Sequence, residues 1–189
     1  MHTQRTVGQY RAIDLSIFMV MLAVFETVIV RAGVSWFPRE AWMVSAVPAL
    51  TAIVMVRWGP WCAVHAMLGG IVTIAARGGG WQEYVIYAAG NLGALTVLPL
   101  LKKTGWEKLH ESALYCLVFG ILVTAGMQIG RAVPALIFGT GFDSVWHMIA
   151  TDSVTYIFSA AIVWIASRPD GILEDQIHYL RRLSHEPEQ

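Results

Sequence analysis

Charged side chains are scarce in this sequence. They make up 14% of the 189 residues, whereas soluble domains carry about a quarter. Hydrophobic residues make up 56% of the chain and the formal net charge is zero. The chain therefore has no basic surface for nucleic acid. This composition predicts an all-α integral membrane protein, because helices satisfy their own backbone hydrogen bonds in lipid. We expect its location to be the inner (plasma) membrane.

Catalytic motifs are also lacking. The chain contains no H-E-x-x-H, G-x-S-x-G or P-loop pattern, and no pair of carboxylates in metal-binding register. We therefore expect no enzyme activity, no metal and no cofactor. The two cysteines, Cys62 and Cys116, lie in apolar runs without metal-like spacing, which indicates buried free thiols. No small-residue cleavage site follows the first apolar run, so we expect that run to remain as a membrane helix.

Six apolar segments are candidates for membrane spans, since about 20 apolar residues cross a bilayer as a helix. They cover roughly Ile13 to Val34, Ala41 to Val56, Trp61 to Ala76, Tyr84 to Leu101, Ser112 to Gln128 and Val145 to Ala166. The second and third are joined by a tight turn at Gly59 and Pro60. The sequence thus predicts a six-transmembrane-helix bundle over residues 1–168.

Arginine and lysine are distributed unevenly between the two predicted sides. Cytoplasmic loops of membrane proteins are enriched in both residues. With the N-terminus inside, nine of the 13 fall on the inner side, namely Arg5, Arg11, Arg57, Lys102, Lys103, Lys108, Arg168, Arg181 and Arg182. Arg31, Arg39, Arg77 and Arg131 then lie outside. This distribution predicts that both termini are cytoplasmic and that segments 34–40, 77–83 and 131–144 face outward.

The C-terminal residues 169–189 change character and are predicted to form a separate cytoplasmic tail. Leu173, Ile177 and Leu180 recur at the spacing of a short amphipathic helix. Arg181 and Arg182 are placed to contact anionic lipid headgroups. An interfacial tail and a docking surface for a cytoplasmic partner both fit this pattern.

A carboxylate interrupts the last apolar segment. Asp152 lies in "VWHMIATDSVTYIFSAAIVWIA", and a charge at membrane depth costs several kcal/mol unless it is paired or faces a cavity. Polar and aromatic residues gather in the outer half of the first, fourth, fifth and sixth segments, which predicts a polar pocket for a small ligand there. The candidate substrate-binding residues are Glu26, Arg31, Trp36, Trp81, Tyr84, Tyr87, Asn91, Gln128, Arg131, Trp146, His147, Asp152 and Tyr156.

Structural roles compete with binding for several of these residues. In that alternative, Asp152 forms an ion pair with Arg131 or Arg31. The amides of Asn91 and Gln128 then hydrogen-bond between helices. The tryptophans then serve as interfacial anchors. Two further residues are predicted to be structural: Asp14 as the N-cap of the first helix, and His65 as a buried histidine satisfied by a neighbour.

The chain resembles the substrate-binding S components of energy-coupling factor (ECF) vitamin transporters. The resemblance covers nearly the whole chain and is carried by "YRAIDLSIFMVMLAVFE", by the Gly-rich region ending "NLGALTVLPLL" and by the polar outer cavity. It implies capture of a vitamin or related heterocycle from outside, with a membrane T component and cytoplasmic ATPases as partners. Many members carry Ala-x-x-x-Ala on the first helix for docking, whereas this chain has Ser16, Val20 and Ala23 there.

Two other interpretations remain open. The first is a non-catalytic scaffold subunit of similar size, such as an MreD-like morphogenesis protein. Such a subunit binds no ligand, and the polar residues around Asp152 then serve to join helices. A small haem-binding or enzymatic membrane protein using His65, His147 and Asp152 is the second, but the missing catalytic motifs weigh against it.

Overall fold

The computed structural model describes residues 6–39, 43–169 and 171–185, without the side chains of residues 181 and 183–185. Arg5, Ala41 and the Arg181 side chain, used in the predictions above, lie outside the described residues. The described chain is helical and contains no strand, as predicted. Its helices are α1 (Val7–Trp36), α2 (Val47–Trp58), α3 (Cys62–Arg77), α4 (Trp81–Gly90), α5 (Leu98–Thr104), α6 (Lys108–Glu111), α7 (Ala113–Ile137), α8 (Phe142–Thr151), α9 (Ser153–Ala166) and α10 (Gln176–His185). Short 3₁₀ segments at Gly59–Trp61 and Asn91–Val97 join α2 to α3 and α4 to α5.

Four continuous helical stretches among the described residues are long and apolar enough to cross a membrane: Val7–Trp36, Val47–Arg77, Trp81–Thr104 and Ala113–Ile137. Helices α8 and α9 form a fifth candidate, bent by 41°. Helices of this number, length and composition are compatible with a multi-pass membrane protein. The predicted count of six differs because it divides residues 47–77 into two spans.

Hydrogen bonds to α1 define the path of α2 and α3. Near one end of α1, Asp14 accepts hydrogen bonds from Arg57 and Trp58 at the end of α2. Farther along α1, Glu26 accepts hydrogen bonds from Ala46 at the start of α2 and from Thr73 near the end of α3. Helices α2 and α3 therefore run in opposite directions and form a hairpin beside α1.

The reversal between α2 and α3 has a local cause. Gly59 adopts φ 57°, a backbone conformation that glycine tolerates and most residues avoid, and Pro60 follows it. In the packed hairpin a Cβ atom on Gly69 would overlap the side chain of Val47. Every residue of α2 is buried, so this short helix forms the centre of the bundle.

The other helices pack through small residues. Gly126 and Gly130 of α7 lie against the backbone of Gly93 and Gly90, and Gly120 of α7 lies against Ala160 of α9. Such contacts allow helix backbones to approach closely, as is common between membrane helices. Helix α7 consequently contacts both the α4–α5 span and α9 along much of its length.

Two predictions about helix ends are wrong. Helix α1 begins at Val7, where Thr6 and Gln9 form a capping box. Asp14 therefore lies inside α1, and its carboxylate forms a two-bond ion pair with Arg57 at 2.8 Å. Helix α7 extends to Ile137, well beyond the predicted end near Gln128. As a result Arg131 belongs to a helix and not to an outer loop.

The C-terminal segment folds back onto the bundle. Arg57 donates to the backbone carbonyls of Gly171 and Ile172, and His110 contacts the carbonyl of Leu173 at 2.9 Å. The Leu173 side chain is fully buried. Helix α10 follows this anchor, in the region where a short amphipathic helix is predicted. Cys62 and Cys116 are buried free thiols, as predicted.

Candidate functional site

Asp152 lies at the break between α8 and α9. A break exposes backbone groups, which must find partners at membrane depth. Met43 supplies one of them: its N–H donates to the Thr151 carbonyl at 3.3 Å. The Met43 carbonyl in turn accepts from the Thr155 hydroxyl, a side-chain group, at 3.1 Å. The segment that leads into α2 thus stabilises the bend that sets the direction of the Asp152 side chain.

Asp152 is paired with α7. Its Oδ2 atom accepts a hydrogen bond from Arg131 Nη1 at 3.0 Å and another from Gln128 Nε2. The Arg131 side chain is 3% exposed and that of Asp152 is 12% exposed. Of the two partners suggested by the sequence, Arg131 is the one used, and the pair offsets two charges that would each be costly alone.

Arg131 is held in place from the opposite side by the α4–α5 span. Its Nε donates to Asn91 Oδ1 at 2.7 Å, and its guanidinium lies 4.2 Å from the ring centroid of Tyr87. The amide of Asn91 also donates to the Ala66 carbonyl in α3 at 2.9 Å. A Cβ on Gly90 would lie 2.7 Å from Arg131 N, so glycine is required for this close approach. The network joins α3, the α4–α5 span, α7 and α9.

An open cavity of about 500 Å³ adjoins this network. Asp152 lines it, whereas Asn91, Gln128 and Arg131 lie behind. Arg77 and Glu83 form an ion pair of 2.7 Å in the cavity wall, and the Arg77 and Arg131 guanidiniums lie 5.7 and 4.2 Å from the centroid of the Tyr87 ring. The remaining lining residues are Met43, Gln82, Ile86, Ala135, Phe138, Thr140, Ser144, His147, Met148 and Thr151. This volume falls within the range of small-ligand sites.

The structure brings only part of the predicted site together. Tyr87, His147 and Asp152 line the cavity, and Asn91, Gln128 and Arg131 support it from behind. The other seven residues do not line it. Trp36, Trp81 and Trp146 are 76%, 67% and 66% exposed, Arg31 is exposed, Tyr84 and Tyr156 are half-buried, and Glu26 is buried elsewhere.

Glu26 has a structural position. Its carboxylate accepts hydrogen bonds from Ser45 Oγ at 2.9 Å, Ala46 N at 2.7 Å and Thr73 Oγ1 at 2.6 Å. Carboxylates are favourable at a helix N-terminus because the free N–H groups there carry partial positive charge. Glu26 therefore caps α2 and connects it to α1 and α3.

The ion pair of Arg77 and Glu83 is the main feature that the sequence prediction missed. Arg77 ends α3, Glu83 lies in the first turn of α4, and glycines 78–80 separate them. Opposite charges on either side of a glycine turn are a usable signal for such a pair. The hydrophobic lining residues Ile86, Ala135 and Phe138 gave no comparable signal, because apolar residues are common throughout the chain.

The described residues contain no group of three histidine, cysteine, aspartate or glutamate side chains that could hold a metal ion. His65 is buried, and its Nε2 atom lies 3.0 Å from the Leu15 carbonyl, as predicted for a histidine satisfied by a neighbour. Comparison of the chain with protein-family models, curated proteins and solved structures finds no match. Fold and site together describe an all-helical chain with apolar helices long enough to cross a membrane and a cavity beside a broken helix.

Proposed function

We propose that this protein captures a small micronutrient, a vitamin or related heterocycle, from outside the cell. In this proposal it is the substrate-specific S component of an ECF-type importer. The observation that carries the proposal is the cavity of about 500 Å³ beside Asp152. Its wall combines apolar and aromatic side chains with a few charged groups, as small-ligand sites do. Solute carriers commonly place their sites at broken helices, which agrees with the bend at Asp152.

The proposed topology has six crossings with both termini in the cytoplasm. It counts α2 and α3 as two spans because they run in opposite directions, and α8 with α9 as one bent span. The Arg77–Glu83 pair and the cavity then lie toward the outside, and the Asp14–Arg57 pair lies toward the inside. The larger number of lysines and arginines on the inner side supports this orientation.

Transport requires partners that supply energy, since no ATP-binding motif is present in the chain. In the proposal a T component docks on α1 and cytoplasmic ATPases drive the cycle. Ser16 and Val20, in the region where related subunits dock, are exposed, and Ala23 is partly exposed. Much of α1 faces outward from the bundle, which leaves room for either lipid or a partner helix.

Thermal unfolding of the purified protein across a vitamin panel tests the capture function. A ligand at 100 times its dissociation constant stabilises the folded state by about 2.7 kcal/mol. We expect one class of vitamin to raise the melting temperature. Ser144→Trp, which fills the cavity, should abolish the increase, whereas Ser35→Trp at the exposed end of α1 should preserve it. No increase with any vitamin or nucleobase precursor would contradict the proposal.

A scaffold subunit is the second candidate, because the buried polar network is largely satisfied inside the protein. Asn91 and Arg131 both bond across helices, and Gln128 donates to Asp152. In that case Asp152→Ala lowers stability without a ligand effect, whereas in the capture proposal it weakens binding while the fold persists. A haem role for His65 has little support, because this residue is 1% exposed and does not line the cavity.

A further inference from the structure

Asp152 presents one free oxygen to the cavity. Its Oδ2 accepts both hydrogen bonds from α7, and Oδ1 accepts none from any described residue. The side chain is 12% exposed and lines the cavity. An oxygen of an ionised carboxylate is a strong acceptor, and leaving it unpartnered in a low-dielectric site is costly. The deepest polar group available to a ligand is therefore an acceptor.

Arg131, the cation paired with Asp152, is not accessible to a ligand in the cavity. Arg131 is 3% exposed and does not line the cavity. Its Nε bonds to Asn91, its Nη1 bonds to Asp152, and its flat face lies against Tyr87. An anionic group in the cavity thus meets the Asp152 carboxylate in front of the Arg131 guanidinium, and like charges at short range repel.

The other charged pair of the cavity is internally balanced. Glu83 accepts from Arg77 through Oε1 and from the Gly80 N–H through Oε2, so both of its oxygens are occupied. Arg77 bonds to Glu83 and contacts the Met43 sulfur at 3.8 Å. Of the two carboxylates that line the cavity, Asp152 is the one with an open oxygen.

We infer that the captured molecule carries a cationic N–H donor, an amine or an amidine, which binds Asp152 Oδ1. This inference rests on the proposed capture function and specifies its substrate class. The fixed position of Oδ2 against Gln128 and Arg131 orients Oδ1 before the ligand arrives, and a preoriented acceptor costs less to use. A positively charged N–H group on the ligand supplies the hydrogen-bond donor that Asp152 Oδ1 lacks.

Three charge classes of probe test the inference on the purified wild-type protein. Pyridoxamine carries a cationic amine; riboflavin and pyridoxine are neutral; biotin, pantothenate and 4-pyridoxate are anions. Pyridoxamine, pyridoxine and 4-pyridoxate differ only in one substituent, so they form a matched set. We expect dissociation constants measured by calorimetry to be about 10- to 100-fold lower for a cation than for its neutral counterpart.

Two variants locate the preference. In Asp152→Asn the amide keeps its oxygen toward Gln128 and Arg131 and turns its NH₂ toward the cavity, so the cation preference should disappear. Asp143→Asn removes a nearby exposed acid that does not line the cavity and should retain the preference. If Asp152→Asn fails to fold, the wild-type panel still decides.

Each outcome of the panel has a distinct meaning. Tighter binding of cations that depends on Asp152 supports the inference. Tighter or equal binding of neutral or anionic probes overturns it and leaves the capture function standing. Absence of binding in all three classes overturns the capture function itself.

Discussion

Asn91 is the residue that fixes the position of Arg131 behind the site. Asn91→Ala removes its bonds to Arg131 Nε and to the Ala66 carbonyl, and leaves the buried Arg131 Nε donor unpaired. We expect the free energy of unfolding to fall by about 1–3 kcal/mol. Denaturation in lipid–detergent micelles measures this change. Thr96→Ala is the control, since that exposed hydroxyl bonds only to the nearby Gly93 carbonyl. Equal stability of the two variants would contradict the role of Asn91.

Glu26 tests the distinction between a cap and a ligand-binding group. Glu26→Ala leaves Ser45 Oγ and Ala46 N without their acceptor, whereas Thr73 keeps the Gly69 carbonyl, so we expect the free energy of unfolding to fall by about 2 kcal/mol. The affinity for any captured ligand should not change, because Glu26 does not line the cavity. Glu26→Gln, which keeps an acceptor, should lose less stability. Weakened binding at unchanged stability would restore the sequence-based assignment of Glu26 to the site.

These residues show what a single sequence reveals about a membrane site. Asp152, Arg131 and Asn91 are recognisable because polar groups are rare and costly within apolar runs. Their partners are not recognisable, since Asn91 and Arg131 are 40 positions apart and meet only when helices pack. Glu26 stands out for the same reason as Asp152. Only its contacts to Ser45 and Thr73 show that it has a different role.

At the scale of elements, the contact between α7 and the α4–α5 span depends on glycine. A Cβ on Gly130 would overlap the Gly90 carbonyl, which the backbone cannot avoid by a rotamer change. We therefore expect Gly130→Ala to destabilise the fold by about 1–3 kcal/mol, as overpacking does. Gly33→Ala is the matched control, because a Cβ there meets no atom within 4 Å. That variant should be neutral or slightly stabilising in helix α1.

The break between α8 and α9 could not be predicted from its own residues. Neither proline nor glycine occurs in "MIATDSV", and the segment has the composition of a continuous span. The contacts that accompany the break come from a distant residue: Met43 N–H donates to the Thr151 carbonyl in place of a helical donor, and the Met43 carbonyl accepts from the Thr155 hydroxyl. Gly59 and Pro60, by contrast, mark the α2–α3 turn in the sequence itself, and the structure has a turn there.

At the scale of the molecule, length and apolar composition predict a helical membrane protein, and the described chain agrees. The number of crossings is harder to obtain in this way, because α2 has only 12 residues, fewer than a span normally needs. Its burial on every side explains how so short a helix is accommodated, since it contacts protein and little lipid. Hydrogen bonds from Asp14 and Glu26 to opposite ends of α2 favour two crossings for residues 47–77.

Cysteine accessibility in intact cells distinguishes the two counts. If residues 47–77 cross twice, positions 35 and 140 lie on the same side of the membrane; if they cross once, the two positions lie on opposite sides. We expect Ser35→Cys and Thr140→Cys both to react with a membrane-impermeant maleimide added outside. Lys108→Cys, exposed in α6, should react only after permeabilisation. The native Cys62 and Cys116 give a low background because both are buried. Labelling of position 35 without position 140 would reduce the bundle to five crossings and place the Asp152 cavity on the cytoplasmic side, where capture from outside is impossible.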